Sequence, residues 1–265
     1  VLYLEGPNAS RRLQAGLDKL VHRGPDHVGI WYEEERALGL TRLAINDKGS
    51  AGNQPMRFSN LVGAVNGEIY NSKDLCITYD CRQESHCDTH VVLPLFKKRG
   101  MDMLDVLDGF FSGVIVTMED GPVYALRDHI GKKPLLQGRS GTEFFITSEL
   151  KALDVVDWFE PVPLGISRLT QTSRKLSLIR EHRFEDGELD LQNMMQRAVT
   201  KRLPQSDDPV GIFLSGGLDS SIVTALASKV RKDIVYYTLA DKYSPDAEYV
   251  AMLADYLDLK DIRYI

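Results

Sequence analysis

The chain has 265 residues, 43% of them hydrophobic, and its 32 lysines and arginines against 38 acidic residues give a formal charge of −6. This length predicts one large domain or two small ones, and the acidic balance argues against nucleic acid as the main partner, because phosphate binding needs a clustered basic surface. No apolar stretch reaches the roughly 20 residues of a membrane span, and the cysteines Cys76, Cys81 and Cys87 suit a reducing, cytoplasmic compartment better than a disulfide framework.

The first half of the chain alternates short apolar runs with turn residues, a pattern typical of a β-rich domain. Residues 10–22 have the apolar period of an amphipathic helix, with Ser10 as its N-cap. Two further helices are predicted over residues 88–98 and 101–107. The predicted strands of this half cover residues 61–65, 112–118, 122–126, 143–147 and 165–169.

After residue 178 the pattern changes to helical periods separated by short apolar strands. The predicted order is helix 189–203, strand 210–214, helix 219–229, strand 234–239, helix 246–257 and strand 262–265. Strands that alternate with helices in this way predict βαβ units and a parallel sheet. The polar segment 180–188 marks the boundary, which gives a first domain of residues 1–180 and a second domain of residues 181–265.

The most specific motif is Ser215-Gly216-Gly217-Leu218-Asp219-Ser220-Ser221, between a predicted strand and a predicted helix. Its glycines let the backbone approach an anion closely, and the amides and dipole of a helix N-terminus hold phosphate oxygens. The serine hydroxyls add donors, and Asp219 suits a Mg²⁺ ion bridged to the phosphates. The motif lacks the glycine spacing and the lysine of a Walker A loop. It matches instead the SGGxDS loop of ATP pyrophosphatases, with a Ser- and Gly-rich turn that binds nothing as the alternative.

ATP pyrophosphatases cleave ATP between its α- and β-phosphates, adenylate a carboxylate or a carbonyl, and release pyrophosphate. In that architecture the adenine lies across the ends of the first two strands. Leu214 and Leu239 occupy those ends and are the predicted adenine contacts, with core packing as the alternative for both.

Several polar segments of the first half carry residues that a simple β core does not need. They are 22–26 (HRGPD), 42–47 (RLAIND), 53–55 (NQP), 66–71 (NGEIYN), 87–89 (CDT), 127–131 (RDHIG) and 148–153 (SELKAL). In this order, ahead of the SGGLDSS loop, they closely resemble glutamine-hydrolysing asparagine synthetase of the bacterial B type and its eukaryotic relatives. The resemblance implies an α+β N-terminal-nucleophile (Ntn) glutaminase domain, an αββα sandwich. An α/β parallel-sheet ATP-pyrophosphatase (PP-loop) domain would follow it, with only its N-terminal part in the chain.

The matched residues fit the recognition of a free glutamine molecule. Arg42 suits the carboxylate, because guanidinium binds it bidentately, and Asp88 suits the ammonium group, assisted in the family pattern by Glu68. Asn66 and Gly67 match the oxyanion-hole pair that stabilises the tetrahedral intermediate of amide hydrolysis. The strand backbone along which the substrate lies comes from Leu43, Ala44, Ile45 and Asn46. Singly, these residues have ordinary alternatives: a solvated arginine, an Asn-Gly hairpin turn and an N-cap aspartate.

Architectural roles are expected for residues 22–26, a helix stop, and for residues 127–129, a buried ion-pair turn. The nucleophile of the family is a cysteine at the N-terminus, whose own amine acts as the base. Val1 aligns a few residues downstream of that point, so this cysteine is absent from the printed chain, and we expect truncation at both ends. Cys87 adjoins Asp88 but is expected to be a buried thiol.

The resemblance implies a cytoplasmic amidotransferase that uses ATP and Mg²⁺ and makes asparagine from aspartate through β-aspartyl-AMP, with ammonia from glutamine hydrolysis. Its partners would be glutamine, aspartate and ATP, with no nucleic acid and no membrane, and a homodimer stays open. One alternative is a β-lactam-synthetase-like enzyme that adenylates a substrate and closes a ring. Another is a homologue that binds glutamine or nucleotide without turnover. The intact set of glutamine-binding residues favours the asparagine-forming reading.

Overall fold

The computed structural model describes residues 1–81, 85–170, 172–183, 190–203, 209–239 and 244–265. The chain divides into two compact units, Val1–Phe184 and Glu185–Ile265. The predicted boundary segment lies partly outside the described residues, which exclude residues 184–189. No helix in the described ranges has the length and apolar character needed to cross a membrane.

The first unit is rich in strands. They are β1 (Leu2–Glu5), β2 (His27–Glu33), β3 (Arg36–Arg42), β4 (Met56–Phe58), β5 (Leu61–Ile69), β6 (Gly109–Thr117), β7 (Val123–Arg127), β8 (Leu136–Ser140), β9 (Glu143–Thr147), β10 (Trp158–Pro161), β11 (Gly165–Thr170) and β12 (Lys175–Arg180). The α-helices are α1 (Ala9–Asp18), α2 (Ser72–Thr78) and α3 (Val92–Arg99). Short 3-10 helices cover Val21–Arg23, Ser50–Gly52, Asp88–Val91, Gly100–Asp105 and Leu150–Ala152.

These strands form two six-stranded antiparallel sheets whose inner faces share one core. The strand orders are β10-β8-β9-β1-β3-β2 and β12-β11-β7-β6-β5-β4. Tyr3 and Phe144 of the first sheet pack in one buried cluster with Val62 and Val114 of the second sheet. Because side chains alternate along a strand, each sheet has a second apolar face that needs a cover.

Helices cover the outer face of each sheet. On the first sheet, Leu2 and Leu4 point to the face opposite Tyr3 and pack with Leu13 and Leu17 of α1. On the second sheet, α2 and α3 bury side chains such as Leu75 and Leu93 against Val65, Phe111 and Ile115. The first unit is therefore an αββα sandwich, the layering that the family resemblance implies.

The prediction of Ser10 as a helix N-cap was wrong. The helix α1 begins at Ala9, whose N–H donates to the Gly6 carbonyl at 3.0 Å. The N-cap position belongs to Asn8, but its side chain donates to Glu143 Oε1 at 3.2 Å and caps nothing. Ser10 lies inside the first turn.

Helix ends and helix types also differ from the prediction. The helix α1 ends at Asp18, since Leu20 donates to the Leu17 carbonyl at 2.8 Å and a separate 3-10 helix follows. The helix predicted over residues 88–98 is a 3-10 helix followed by α3, and the one predicted over 101–107 is a 3-10 helix.

The second unit has alternating helices and parallel strands. The described elements are α4 (Leu191–Thr200), β13 (Val210–Phe213), α5 (Leu218–Val230), β14 (Ile234–Thr238), α6 (Pro245–Leu257) and β15 (Ile262–Tyr264). The sheet order is β13-β14-β15, and both described strand pairs are parallel. Its core gathers Val210, Ala227, Ile234 and Tyr236, with Val199 packed against them. The βαβ pattern predicted from the sequence is present.

Candidate functional site

A cavity of about 420 Å³ lies in the first unit, beside the start of β1 and the end of β3. Six residues of the predicted glutamine set line it: Arg42, Leu43, Ile45, Asn66, Gly67 and Glu68. They come from β3, the segment after it, and β5. The structure thus brings the guanidinium group of Arg42 to the same cavity as the amide of Asn66 and the carboxylate of Glu68, which follow it by more than 20 positions in the sequence.

The other three predicted residues, Ala44, Asn46 and Asp88, do not line this cavity. Asn46 Nδ2 donates to Asp88 Oδ1 at 2.8 Å, and the Ile69 N–H donates to Asp88 Oδ2 at 2.6 Å. Each oxygen of this carboxylate therefore already accepts a hydrogen bond within the protein.

Arg42 is almost fully buried, with 7% of its surface exposed. Its Nη1 donates to the Gly49 carbonyl at 2.9 Å and to Asn53 Oδ1 at 3.0 Å, and its Nη2 donates to the Asp47 carbonyl. The segment after β3 wraps around the guanidinium group and fixes its plane. Only the donors that this segment leaves unused can face a ligand.

The prediction that residues 43–46 form strand backbone was wrong. The strand β3 ends at Arg42, and the Ala44 N–H donates to Asp26 Oδ2 at 2.7 Å. The chain leaves the sheet here because a side chain replaces the strand partner. Leu43 and Ile45 are each more than half exposed at the cavity wall.

Asn66 and Gly67 lie inside β5, opposite Ser112 and Phe111 of β6, so they do not form the hairpin turn that was their ordinary alternative. Gly67 has φ +157°, and a Cβ there would stand 2.1 Å from the Phe110 carbonyl oxygen. Only glycine fits this close approach.

Further polar groups on the wall were not predicted to be functional. His22, Arg23 and Glu149 line the cavity, although residues 22–26 were expected to be architectural. Arg23 Nη1 donates to Glu149 Oε1, and His22 Nε2 lies 3.2 Å from Glu149 Oε2. Burial raises the pKa of Glu149, but the hydrogen bonds from Arg23 and His22 outweigh burial and hold this pKa below its usual range. No sequence signal marks this pair, because 126 positions separate Arg23 from Glu149.

Lys133 also lines the cavity, with its Nζ 4.9 Å from the centre of the Phe110 ring. Among the described residues, this ammonium group has neither a hydrogen-bond acceptor nor an ion-pair partner. Burial lowers the pKa of Lys133, and the nearby Glu68 opposes that change.

The turn that carries Lys133 is built on Asp128, which is fully buried. Its carboxylate accepts N–H donors from Phe111 at 3.2 Å, Ile130 at 3.1 Å, Lys132 at 3.0 Å and Lys133 at 3.3 Å. Arg127 Nη1 donates to the Val162 carbonyl at 2.7 Å. The predicted ion-pair turn at residues 127–129 was therefore wrong, because backbone amides satisfy this carboxylate.

The cysteines of the chain lie outside the cavity lining. Cys87 is 8% exposed, and its Sγ lies 3.3 Å from Thr89 Oγ1. Burial raises the pKa of the Cys87 thiol, which makes it a poor nucleophile. The expected buried thiol is confirmed.

In the second unit, the predicted phosphate loop connects β13 to α5. Gly216 has φ +81°, and a Cβ there would lie 2.8 Å from the Asp246 carbonyl oxygen. Gly217 immediately precedes α5, and a Cβ there would meet only Ser215 Oγ, at 3.4 Å. The loop therefore packs tightly on its Gly216 side and has open space on its Gly217 side.

The loop hydroxyls are ordered by the loop itself. Ser220 Oγ donates to the Gly217 carbonyl at 3.1 Å, and Ser221 Oγ donates to the same carbonyl at 2.7 Å. Ser215 Oγ lies 2.9 Å from Ser220 Oγ. Asp219 and Leu218 are exposed in the first turn of α5.

The two predicted adenine contacts differ in exposure. Leu214 is buried, and its N–H donates to the Tyr237 carbonyl at 2.8 Å, whereas Leu239 is 76% exposed. They follow the ends of the neighbouring parallel strands β13 and β14. The described ranges contain no cluster of three or more His, Cys, Asp or Glu side chains that could hold a metal ion.

Comparison with known families identifies the class of domain to which the αββα unit and its cavity belong. Residues 3–163 match the family model described as a glutamine amidotransferase domain, and residues 190–265 match the model described as asparagine synthase. The chain therefore belongs to the glutamine amidotransferase family, in the branch that joins this domain to an asparagine synthase domain. The resemblance drawn from the sequence is confirmed.

Curated relatives of the chain are named as glutamine-hydrolysing asparagine synthetases. A probable glutamine-hydrolysing asparagine synthetase of Acanthamoeba polyphaga mimivirus is 33% identical over 92% of this chain and 52% of its own length. The enzyme of Zea mays is 35% identical over 90% of this chain and 44% of its own. Asparagine synthetase B of Escherichia coli K12 is 35% identical over 78% and 40%. The chain spans about half the length of these relatives.

A solved structure shows the same fold at lower identity. Glutamine phosphoribosylpyrophosphate amidotransferase from B. subtilis aligns with a TM-score of 0.59 and 20% identity, over 91% of this chain and 66% of its own. This likeness shows a shared fold.

Proposed function

We propose that the chain is part of a cytoplasmic, ATP-dependent amidotransferase that makes asparagine from aspartate with ammonia released from glutamine. The cavity of the first unit carries this proposal, because it gathers a cation, an oxyanion-type donor pair and a carboxylate in one place. The names of the relatives favour asparagine formation over ring closure by a β-lactam-synthetase-like enzyme.

In the glutaminase step, Arg42 takes the carboxylate of glutamine, and Glu68 takes its ammonium group from the cavity wall. Asp88 shares the ammonium group, because each of its oxygens can accept a second hydrogen bond beside those from Asn46 and Ile69. Asn66 and Gly67 donate to the oxygen of the side-chain amide as it becomes negatively charged. Leu43 and Ile45 flank the bound molecule, whereas Ala44 and Asn46 lie outside the cavity lining and hold Asp26 and Asp88 by hydrogen bonds. The nucleophile is the N-terminal cysteine that the family pattern implies, since Cys76, Cys81 and Cys87 all lie outside the cavity lining.

In the synthetase step, the loop from Ser215 to Ser221 holds the pyrophosphate part of ATP in the manner of a PP-loop. The first amides of a helix have no partner within the helix and favour anions, and the open side of Gly217 leaves room for a phosphate group. Leu214 and Leu239 contact adenine, and the β-carboxylate of aspartate becomes β-aspartyl-AMP before ammonia displaces AMP.

A Mg²⁺ ion would neutralise phosphate charge in this step, with Asp219 as its ligand from this chain. Because Mg²⁺ is usually held by one or two carboxylates together with substrate phosphates, the ion would arrive with the nucleotide. The partners of the enzyme are small molecules, and a homodimer is compatible with this proposal.

The test is aspartate-dependent release of pyrophosphate from ATP by the full-length protein, with ammonia supplied. We expect activity in the natural enzyme and its loss in Asp219→Ala, while glutamine binding by the first unit is unchanged. Activity that survives Asp219→Ala would refute the assignment of the phosphate loop. Pyrophosphate release that does not need aspartate would refute asparagine formation and favour the ring-closing alternative.

A second measurement tests the glutamine site in the chain itself. Isothermal titration should detect glutamine binding that Glu68→Gln weakens and that D-glutamine does not reproduce. Equal binding of both enantiomers would contradict a site that holds the carboxylate and the ammonium group separately.

A further inference from the structure

Gln54 is a buried amide with three hydrogen bonds to two parts of the first unit. It is 6% exposed. Its Oε1 accepts the Val65 N–H at 2.7 Å, and its Nε2 donates to the Val65 carbonyl at 3.0 Å and to Thr89 Oγ1 at 3.2 Å. The Gln54 side chain thus hydrogen-bonds the N–H and the carbonyl of Val65 in β5 and the hydroxyl of Thr89 on a different segment.

Both hydrogen-bond partners of Gln54 adjoin the proposed glutamine site. Val65 immediately precedes Asn66 in β5, and Thr89 immediately follows Asp88 in the 3-10 helix Asp88–Val91. Asp88 Oδ2 in turn accepts the Ile69 N–H, three residues after Asn66. Two sets of hydrogen bonds therefore connect the segment of Asn66 and Gly67 to the segment of Asp88. One is the bond from the Ile69 N–H to Asp88, and the other passes through the Gln54 side chain.

The surroundings leave Gln54 little freedom. A Cβ on Gly29 of β2 would lie 1.7 Å from the Gln54 carbonyl oxygen, so the backbones of the two residues are in close contact. Thr89 is 3% exposed and also contacts the Cys87 thiol at 3.3 Å. A side chain held this firmly can transmit the position of one segment to the other.

We propose that Gln54 is a positioning residue of the glutamine site, which sets the separation between the Asn66–Gly67 donors and the Asp88 carboxylate. It touches neither substrate nor reacting atoms. This inference rests on the proposed glutaminase function. Glutamine has a side-chain amide at one end and an ammonium group at the other. A fixed separation between the Asn66–Gly67 donors and the Asp88 carboxylate therefore favours the orientation in which the amide can be hydrolysed.

The chain contains a matched control in Gln137 of β8. Gln137 is fully buried, its Oε1 accepts the Leu176 N–H at 2.6 Å, and its Nε2 donates to the Leu176 carbonyl at 3.4 Å and to Glu160 Oε1 at 2.9 Å. It makes the same two bonds to a strand backbone, but its partners Leu176 and Glu160 do not adjoin any residue of the proposed glutamine site. If the role of Gln54 were only structural, replacing Gln54 or Gln137 should change the affinity for the glutamine ligand to the same extent.

The experiment compares Gln54→Leu with Gln137→Leu by isothermal titration of glutamine and by urea unfolding. Both variants should lower the free energy of unfolding, because each leaves a backbone N–H and a carbonyl unpaired. Only Gln54→Leu should weaken glutamine binding by the folded protein, by about tenfold. In the full-length enzyme, the same variant should raise KM for glutamine and lower kcat of its hydrolysis.

The variant Gln54→Glu adds a readout that a purely structural role would not move. Its carboxyl group faces the Val65 carbonyl, which requires a donor, and burial also favours the neutral form. Glutamine affinity should be about tenfold reduced at pH 8 and should recover as the pH falls to about 5.5, where the carboxyl group is protonated and can donate. The titratable and charged groups around Thr89, the partner of Gln54, are Asp88, His90, Cys87, Asp47 and Arg42, so the natural protein is titrated at each pH as the reference.

Each result decides a different point. If Gln54→Leu and Gln137→Leu change glutamine affinity equally, or if neither does, Gln54 has no positioning role. If Gln54→Leu does not fold, the pH profile of Gln54→Glu decides, and a profile parallel to that of the natural protein overturns the inference. Absence of glutamine binding in the natural protein would refute the proposed glutaminase site itself, which is a separate failure.

Discussion

Asp128 satisfies four backbone N–H groups with one buried carboxylate, and it thereby shapes the turn that carries Lys133. Replacing it with alanine leaves these donors without partners in a site closed to solvent. We expect Asp128→Ala to lower the free energy of unfolding by about 3 kcal/mol or more, measured by urea denaturation.

Asp157 is the matched control for Asp128. It also accepts a backbone N–H, from Gly141 at 2.7 Å, but it is exposed, so water can replace it. Asp157→Ala should cost about 1 kcal/mol or less. Equal losses in the two variants would show that neither burial nor the number of accepted N–H groups sets the cost of breaking the Asp128 turn.

Glu143 gives the first unit a pH-dependent part of its stability. Burial raises the pKa of Glu143, but hydrogen bonds from Thr142, Asn8 and Arg12 outweigh burial and hold this pKa below its usual range. Because the folded pKa is depressed, the contribution is complete above the unfolded pKa of about 4.3 and is lost as the pH falls through the folded value. Glu143→Gln should therefore destabilise the protein at pH 7, and the deficit should narrow below about pH 4. A deficit that is independent of pH would contradict this prediction.

At the scale of single elements, the loop from β13 to α5 depends on one of its two glycines more than on the other. Gly216 combines a positive φ with a close neighbour, the Asp246 carbonyl of α6, whereas Gly217 has an ordinary φ of −72° and open space. Gly216→Ala should displace α6 and abolish nucleotide binding, measured by titration of ATP. Gly217→Ala should leave the circular dichroism spectrum unchanged. It should weaken ATP binding only because its methyl group fills part of the space proposed for a phosphate group. Tight ATP binding by Gly216→Ala would contradict the close packing.

The elements show what local sequence information can and cannot specify. Short apolar runs were sufficient to predict β5, β6 and β9, because both the inner core and the helix side select apolar residues there. The end of α1 was missed, since buried Leu20 continues the apolar period into a 3-10 helix. Arg42 and Asn66 were found through motifs. The contact of Arg23 with Glu149 and the hydrogen bonds of Gln54 to Val65 were not, because they depend on the tertiary fold.

At the scale of the whole molecule, the two units differ in the size of their cores. Three buried clusters support the first unit, whereas the buried core described in the second is Val210, Ala227, Ile234 and Tyr236. Stability grows with the apolar surface that a unit buries. We expect hydrogen exchange to show weaker protection in β13 and β14 than in β5 and β6, and limited proteolysis to leave the first unit intact. Equal protection in both units would contradict independent stabilities.

The lowered pKa of Lys133 makes its amine more reactive towards acylating reagents. An amine whose pKa is lowered by burial is unprotonated more often at neutral pH, and the unprotonated form is the nucleophile. The cavity wall therefore carries its own acylation site. A limiting amount of an activated ester at pH 7 should modify Lys133 before exposed lysines such as Lys151, and glutamine should slow this reaction. Peptide mass spectrometry would then report occupancy of the cavity without any need for turnover, and equal labelling of both lysines would contradict the expectation.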